Sequence, residues 1–151
     1  MSSDDNTPAD ERSLLKARLN LYKTRSTRRQ ILDERISRFE REAGKAGAIT
    51  TEYSELIHEL AQQREACDKA ALEIIQILNN LSPDSTERLT LELRHLDLKS
   101  WRQIQKLLFM SDATVYRYYS RGLDKLLNIQ QVRRWIGLDA NIPQQADSDE
   151  G

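Results

Sequence analysis

Arg102, Lys106, Arg117, Arg121 and Lys125, interleaved with Ser111, Ala113, Thr114, Tyr116 and Ser120, are the residues of this chain best suited to defined recognition chemistry. The planar fork of Arg117 matches the two acceptors on a guanine edge, and Ala113 and Thr114 carry methyl groups suited to a thymine methyl. With Tyr116 these are the candidate base contacts. Arg102, Lys106, Arg121 and Lys125, with the hydroxyls of Ser111 and Ser120, suit phosphate oxygens instead. The plainer alternative is a solvated helix surface, because Asp112 puts an acid among these cations and the tyrosines of YRYY can serve packing; Tyr118 is expected to pack.

Other chemistry is thin. His58 and His95 stand without a second histidine or a cysteine at ligand spacing, and Cys67 is the sole cysteine. That excludes a disulfide framework and argues against a metal centre. There is no glycine-rich phosphate loop, no carboxylate pair and no Ser/His/Asp constellation. Neither an enzyme nor a cofactor is expected.

The elements that must position these cations are short helices. Ser100 and Gln103 have capping-box spacing, and the helix from Trp101 to about Leu108 puts Trp101, Ile104, Leu107 and Leu108 on one face. Ser111 caps a second helix with Val115, Tyr118, Leu123, Leu126 and Leu127 on its apolar face. Two such helices joined by two or three residues must cross steeply, the helix-turn-helix arrangement. A third helix is expected to begin with Ser82 as cap and Pro83 at its first position, contributing Leu89, Leu91, Leu93 and Leu96 to a shared core.

The segment Pro83 to Leu127 resembles the C-terminal DNA-binding region of bacterial sigma factors. Its runs LTLELRHLDLKSWRQIQKLL and SDATVYRYYSRGLDKL resemble those of short phage- and prophage-encoded transcriptional regulators, ArpU-like late regulators among them. The matching positions are Trp101 and Ile104 in the supporting helix, Ser111 at the turn, and Val115, Tyr116, Arg117 and Leu123 in the recognition helix. Gln105 departs from the usual small residue and Phe109 from the usual turn glycine. The resemblance implies control of late phage genes at promoter or operator DNA, contact with host RNA polymerase, and a cytoplasmic, nucleoid-associated setting.

The rest of the chain reads as support. Scarce glycine and proline predict an all-α protein. The net charge of −1 conceals an uneven distribution: residues 11–46 hold eleven Lys/Arg against five Asp/Glu, residues 52–82 two against six, and residues 83–136 ten against six. Residues 1–10 are expected to be disordered. Residues 11–81 are expected to form an antiparallel, coiled-coil-like helical hairpin. Its first helix runs from Glu11 to Ala43, with one apolar set at Leu15, Leu19 and Tyr22 and another at Leu32, Ile36, Phe39 and Ala43. The intervening basic run KTRSTRRQ reads as solvated, with phosphate contact by Lys23, Arg25, Arg28 and Arg29 as the alternative. Gly44 and Gly47 should break this helix, and Thr50 or Thr51 should cap the next. In the second, Tyr53, Leu56, Leu60, Gln63, Cys67, Ala70, Ile74, Ile77 and Leu81 form an uninterrupted heptad seam, flanked by Ile57, Ala61, Ala71, Ile75 and Leu78. The seam predicts a homodimer as well as pairing with the first helix. Residues 82–137 hold the helix-turn-helix and a short amphipathic piece, Ile129 to Ile136, with Val132, Trp135 and Ile136 packed, Arg133 and Arg134 exposed, and Gly137 as its stop. Residues 138–151 are expected to be a disordered acidic tail. No membrane association is expected.

Three readings follow. The first is a regulator that binds duplex DNA and its own second copy. The second is a DNA-packaging adaptor resembling a small terminase subunit, and the third is a module that binds polymerase or a repressor without touching DNA.

Overall fold

In the computed structural model the described residues are 2–46 and 51–139, with side chains for 10–42 and 51–139. They are helical throughout, with no strand among them: α1 (Ser2–Leu19), α2 (Leu21–Ala46), α3 (Thr51–Leu78), α4 (Thr86–His95), α5 (Trp101–Leu108), α6 (Asp112–Leu127) and α7 (Gln130–Trp135). They divide into a two-helix unit, residues 21–73, and a composite unit that joins residues 2–20 to residues 74–139.

The N-terminal third differs from its expectation twice. Helix α1 extends back to Ser2 where disorder was expected; a helix nucleated by the buried Leu15 and Leu19 elongates without needing further burial. The single helix expected from Glu11 to Ala43 is interrupted at Asn20, where the chain passes from one unit to the other. Helix α1 is grouped with the C-terminal helices, a division different in kind from the expected one at residues 81 and 82. Helix α2 also continues through Gly44 to Ala46. Gly47, Thr50 and the tail from residue 140 lie outside the described residues.

In the two-helix unit α2 and α3 meet through Leu32, Ile36 and Leu60, with Tyr53 and Leu56 packed against them. Tyr53 donates to Glu40 (2.7 Å), and its ring lies 5.8 Å from that of Phe39. The basic run of α2 is drawn into this pairing, since Arg28 bonds Glu59 at 2.6 Å. In the opposite charge sense, Arg64 meets Asp33 at 3.2 Å. The heptad seam faces into the chain: Leu60, Cys67, Ala70, Ile74, Ile77 and Leu81 are buried, and Tyr53, Leu56 and Gln63 half-buried. Folding of one chain removes most of those side chains from water, while Ile57, Leu72 and Ile75 of the same helix stay exposed. Burial also raises the Cys67 thiol above its ordinary value, which keeps it an inert core residue.

The composite unit is built around α6, which packs against α1, α4, α5 and α7. Helix α4 begins three residues later than expected. Ser82 to Ser85 forms a turn in which the Ser85 N–H donates to the Ser82 carbonyl (3.1 Å), with Pro83 at the second position where its fixed φ fits. Ser85 is the cap, accepting from the Arg88 N–H. Of the expected core leucines on α4 only Leu91 is fully buried; Leu89 is 41 % exposed, and Thr90 and His95 take buried places. Thr90 satisfies its hydroxyl on the Thr86 carbonyl (2.7 Å). Helix α7 buries Val132, and Gly137, at φ 91°, ends it as expected. Arg133, expected to be exposed, instead bonds Glu11 of α1, Asp139 and the Leu127 carbonyl.

Tyr119, not Tyr118, is the core tyrosine of α6, 3 % exposed. Its hydroxyl shares a 2.8 Å hydrogen bond with His95 Nε2. Trp101 of α5 meets its ring edge-on at 4.8 Å, and Arg94 covers Trp101 at 4.4 Å. Lys16 of α1 lies 5.9 Å from the Tyr119 ring centre. Burial, reinforced by the charges of Arg94 and Lys16, pushes His95 down to about 3, and burial raises the Tyr119 phenol.

Two predictions follow from this packing. His95 protonates near 6.5 when unfolded and near 3 when folded, so between those values the unfolded chain binds a proton that the folded chain refuses. Stability is complete above the higher value and falls as pH drops through the window, by roughly 1 kcal/mol per pH unit from this group. Trp101 and Trp135 both lie in the composite unit, so tryptophan-monitored denaturation should show that slope in the wild type and a shallower one in His95→Gln. Equal slopes would contradict the assignment. At Gly122 an added Cβ would stand 2.7 Å from Leu91 Cδ1 and 3.4 Å from the Glu87 carbonyl oxygen. Gly122→Val should therefore destabilise this unit by about 1–3 kcal/mol, read as a lower denaturation midpoint.

Candidate nucleic-acid interface

The local structure of α5 and α6 follows from four side chains. Ser100 accepts from the Gln103 N–H (3.1 Å), and Gln103 Oε1 accepts from the Ser100 N–H (2.9 Å), completing the expected capping box. Ser111 accepts from the Thr114 N–H at the start of α6, and its hydroxyl donates to Thr114 Oγ1 at 3.0 Å. Gln105, which replaces the usual small residue, donates from Nε2 to Asp112 Oδ1 at 3.0 Å. That bond braces the end of α5 to the first turn of α6 and occupies one oxygen of the acid that stood among the cations.

Helix α6 divides into an inner and an outer arc. Val115, Tyr119, Gly122, Leu123, Leu126 and Leu127 are buried. Ala113, Tyr116, Arg117, Arg121 and Lys125 are exposed, with Thr114, Tyr118 and Ser120 between the two classes. Neighbouring helices narrow the outer arc further. Arg12 of α1 clamps Asp124 with two bonds (2.7 and 2.6 Å), and Lys16, one turn on, reaches the Tyr116 hydroxyl at 3.5 Å. Tyr116, Ser120 and Asp124 share one ridge at intervals of four, so α1 runs along it. On the opposite side Lys125 pairs with Glu87 of α4 at 3.3 Å. Burial raises the Glu87 carboxyl, but its own backbone N–H and Lys125 outweigh that, and the net shift is downward.

The predicted site residues thus separate. Ala113, Thr114, Arg117 and Arg121 lie together on the outward arc, and Arg102 and Lys106 are exposed on α5. Among the described residues Arg102, Lys106 and Arg117 form no ion pair. Tyr116 keeps half its surface but borders α1, Ser120 lies on the same ridge, and Lys125 is engaged by Glu87. Sequence reasoning missed Tyr118, which is half-buried on the outer arc with the Arg121 guanidinium 5.7 Å from its ring centre. It also missed the α1 clamp; the only trace of either in the sequence was the spacing of Arg12 and Lys16, one helical turn apart.

Among the described residues no three His, Cys, Asp or Glu side chains gather where a metal ion would sit, and no helix is long and apolar enough to cross a membrane. Compared with protein-family models, curated proteins and solved structures, the chain matches none.

Proposed function

We propose that α4, α5 and α6 act as a helix-turn-helix and that the chain is a DNA-binding transcriptional regulator, with α6 entering the major groove. One observation carries the reading: Arg117 stands exposed and unpaired on the outward arc of α6, beside Ala113 and Thr114, while Arg102 and Lys106 are exposed and unpaired on α5, whose Gln105 bonds Asp112 in the first turn of α6.

In this reading Arg117 addresses a guanine edge and Ala113 or Thr114 a thymine methyl, with Arg102, Lys106 and Arg121 on phosphates. Ser111 spends its oxygen on the helix cap and contributes to phosphate binding through the backbone it orders. The α2 and α3 pair acts as a helical hairpin for oligomerisation or polymerase contact. The resemblance to phage regulators adds late-gene control and contact with host RNA polymerase. The apolar periodicity of α3 adds a second copy of the chain, as a homodimer.

A duplex selected from a random pool by the wild type provides the test. Arg117→Ala should lose about 1–3 kcal/mol on that duplex and little on its scrambled counterpart. Lys106→Ala should weaken both alike and lower the salt slope by about one counterion. Equal losses on both duplexes for Arg117→Ala would show it to be a backbone contact, and absence of binding to any duplex at low salt would refute the function.

A further inference from the structure

The turn between α5 and α6 contains a residue that the fold does not account for. Phe109 has φ 55° and ψ 46°, the left-handed region in which glycine is the least costly residue. Its N–H closes α5 by donating to the Gln105 carbonyl, and the Met110 N–H donates to the same oxygen at 3.1 Å. Glycine would make those backbone bonds with less strain. The ring meanwhile packs on nothing, being 93 % exposed, the most exposed large apolar side chain among the described residues. A strained backbone and a wholly exposed aromatic ring at one position are both costs to the fold.

The surroundings identify what the ring faces. Arg102, Gln105, Lys106 and Met110 line an open groove with Phe109. An apolar tip bordered by unpaired cations is complementary to a nucleic-acid backbone and the base beside it. An acidic protein surface would satisfy the same charges, but continuity favours DNA. The cations in the groove are those assigned to phosphate, and Phe109 is two residues before the Ser111 cap of the helix assigned to the major groove. Phenylalanine is also among the side chains that make apolar contact with the 5-methyl group of thymine. We propose that Phe109 is a further DNA contact, its ring packed on a thymine methyl beside the point where α6 enters the groove, adding sequence preference there. The inference rests on the DNA-binding reading and deepens it.

The test uses the full chain, Phe109→Gly, and Phe109→Asn as a second variant that tolerates the same backbone. Wild type and variants are each used to select from random duplexes, and their melting temperatures are measured. The variants should melt at or above the wild-type temperature. They should bind the wild-type-selected duplex on the order of tenfold more weakly and lose the preference for thymine at one position bordering the Arg117 contact. Replacing that thymine with deoxyuridine should weaken the wild type and leave the variants unchanged. Unaltered affinity and preference in the variants would overturn the proposal, as would an equal loss on every duplex with the preference intact. Either result would leave the DNA-binding reading standing. A wild type that enriches no duplex would bring down both.

Discussion

The hydrogen bond between His95 and Tyr119, 2.8 Å long and enclosed, is the contact on which the composite unit depends. It ties α4 to α6, and the Tyr119 ring it holds in place is the one that Trp101 of α5 packs on. Either partner alone would be a buried polar group without satisfaction, costing more than the bond contributes when made. The requirement fixes the rotation of α6 about its own axis. Once Tyr119 points inward, Ala113, Arg117 and Arg121 point outward, and the candidate interface follows from the core. Gly122 supplies the other half of the constraint by letting α6 settle against Leu91 and Glu87 of α4 without a side chain between them.

The legible parts of this arrangement were those encoded within a few residues. The Ser100 and Gln103 capping box, the Ser111 cap and the Gly137 stop are each local signals, and each is present. Where several residues could play one role, local reading chose wrongly. Ser82, Pro83, Asp84 and Ser85 all favour a helix start or a turn, and Ser85 is the cap. The run YRYY offers tyrosines at both the i+3 and i+4 steps from Val115, so periodicity does not choose between Tyr118 and Tyr119; the buried partner on α4 does.

What was not legible is long-range. Helix α1 reads as one half of a longer helix because no proline or glycine separates it from α2. Its attachment to the C-terminal helices rests on Arg12 with Asp124 and Glu11 with Arg133, pairs more than a hundred residues apart. The seam of α3 was correctly read as apolar and periodic, but periodicity does not say which surface covers it. The candidate interface was visible as residue types and helical spacing. The clamps on Asp124 and Lys125 then narrowed it to the arc that neighbouring helices leave open.

Exposed cations gather on two surfaces, the outer arc of α5 and α6 and the Arg35, Arg38 and Arg41 stretch of α2. Sequence charge favours neither; the difference is that the first combines unpaired cations with a capped helix start and small apolar side chains. The most direct measurement is backbone amide chemical-shift mapping as duplex DNA is added at low salt. The account predicts perturbations concentrated at Arg102, Lys106 and residues 111–121, with α2 unmoved. No shifts at all, or shifts centred on Arg35 to Arg41, would contradict it.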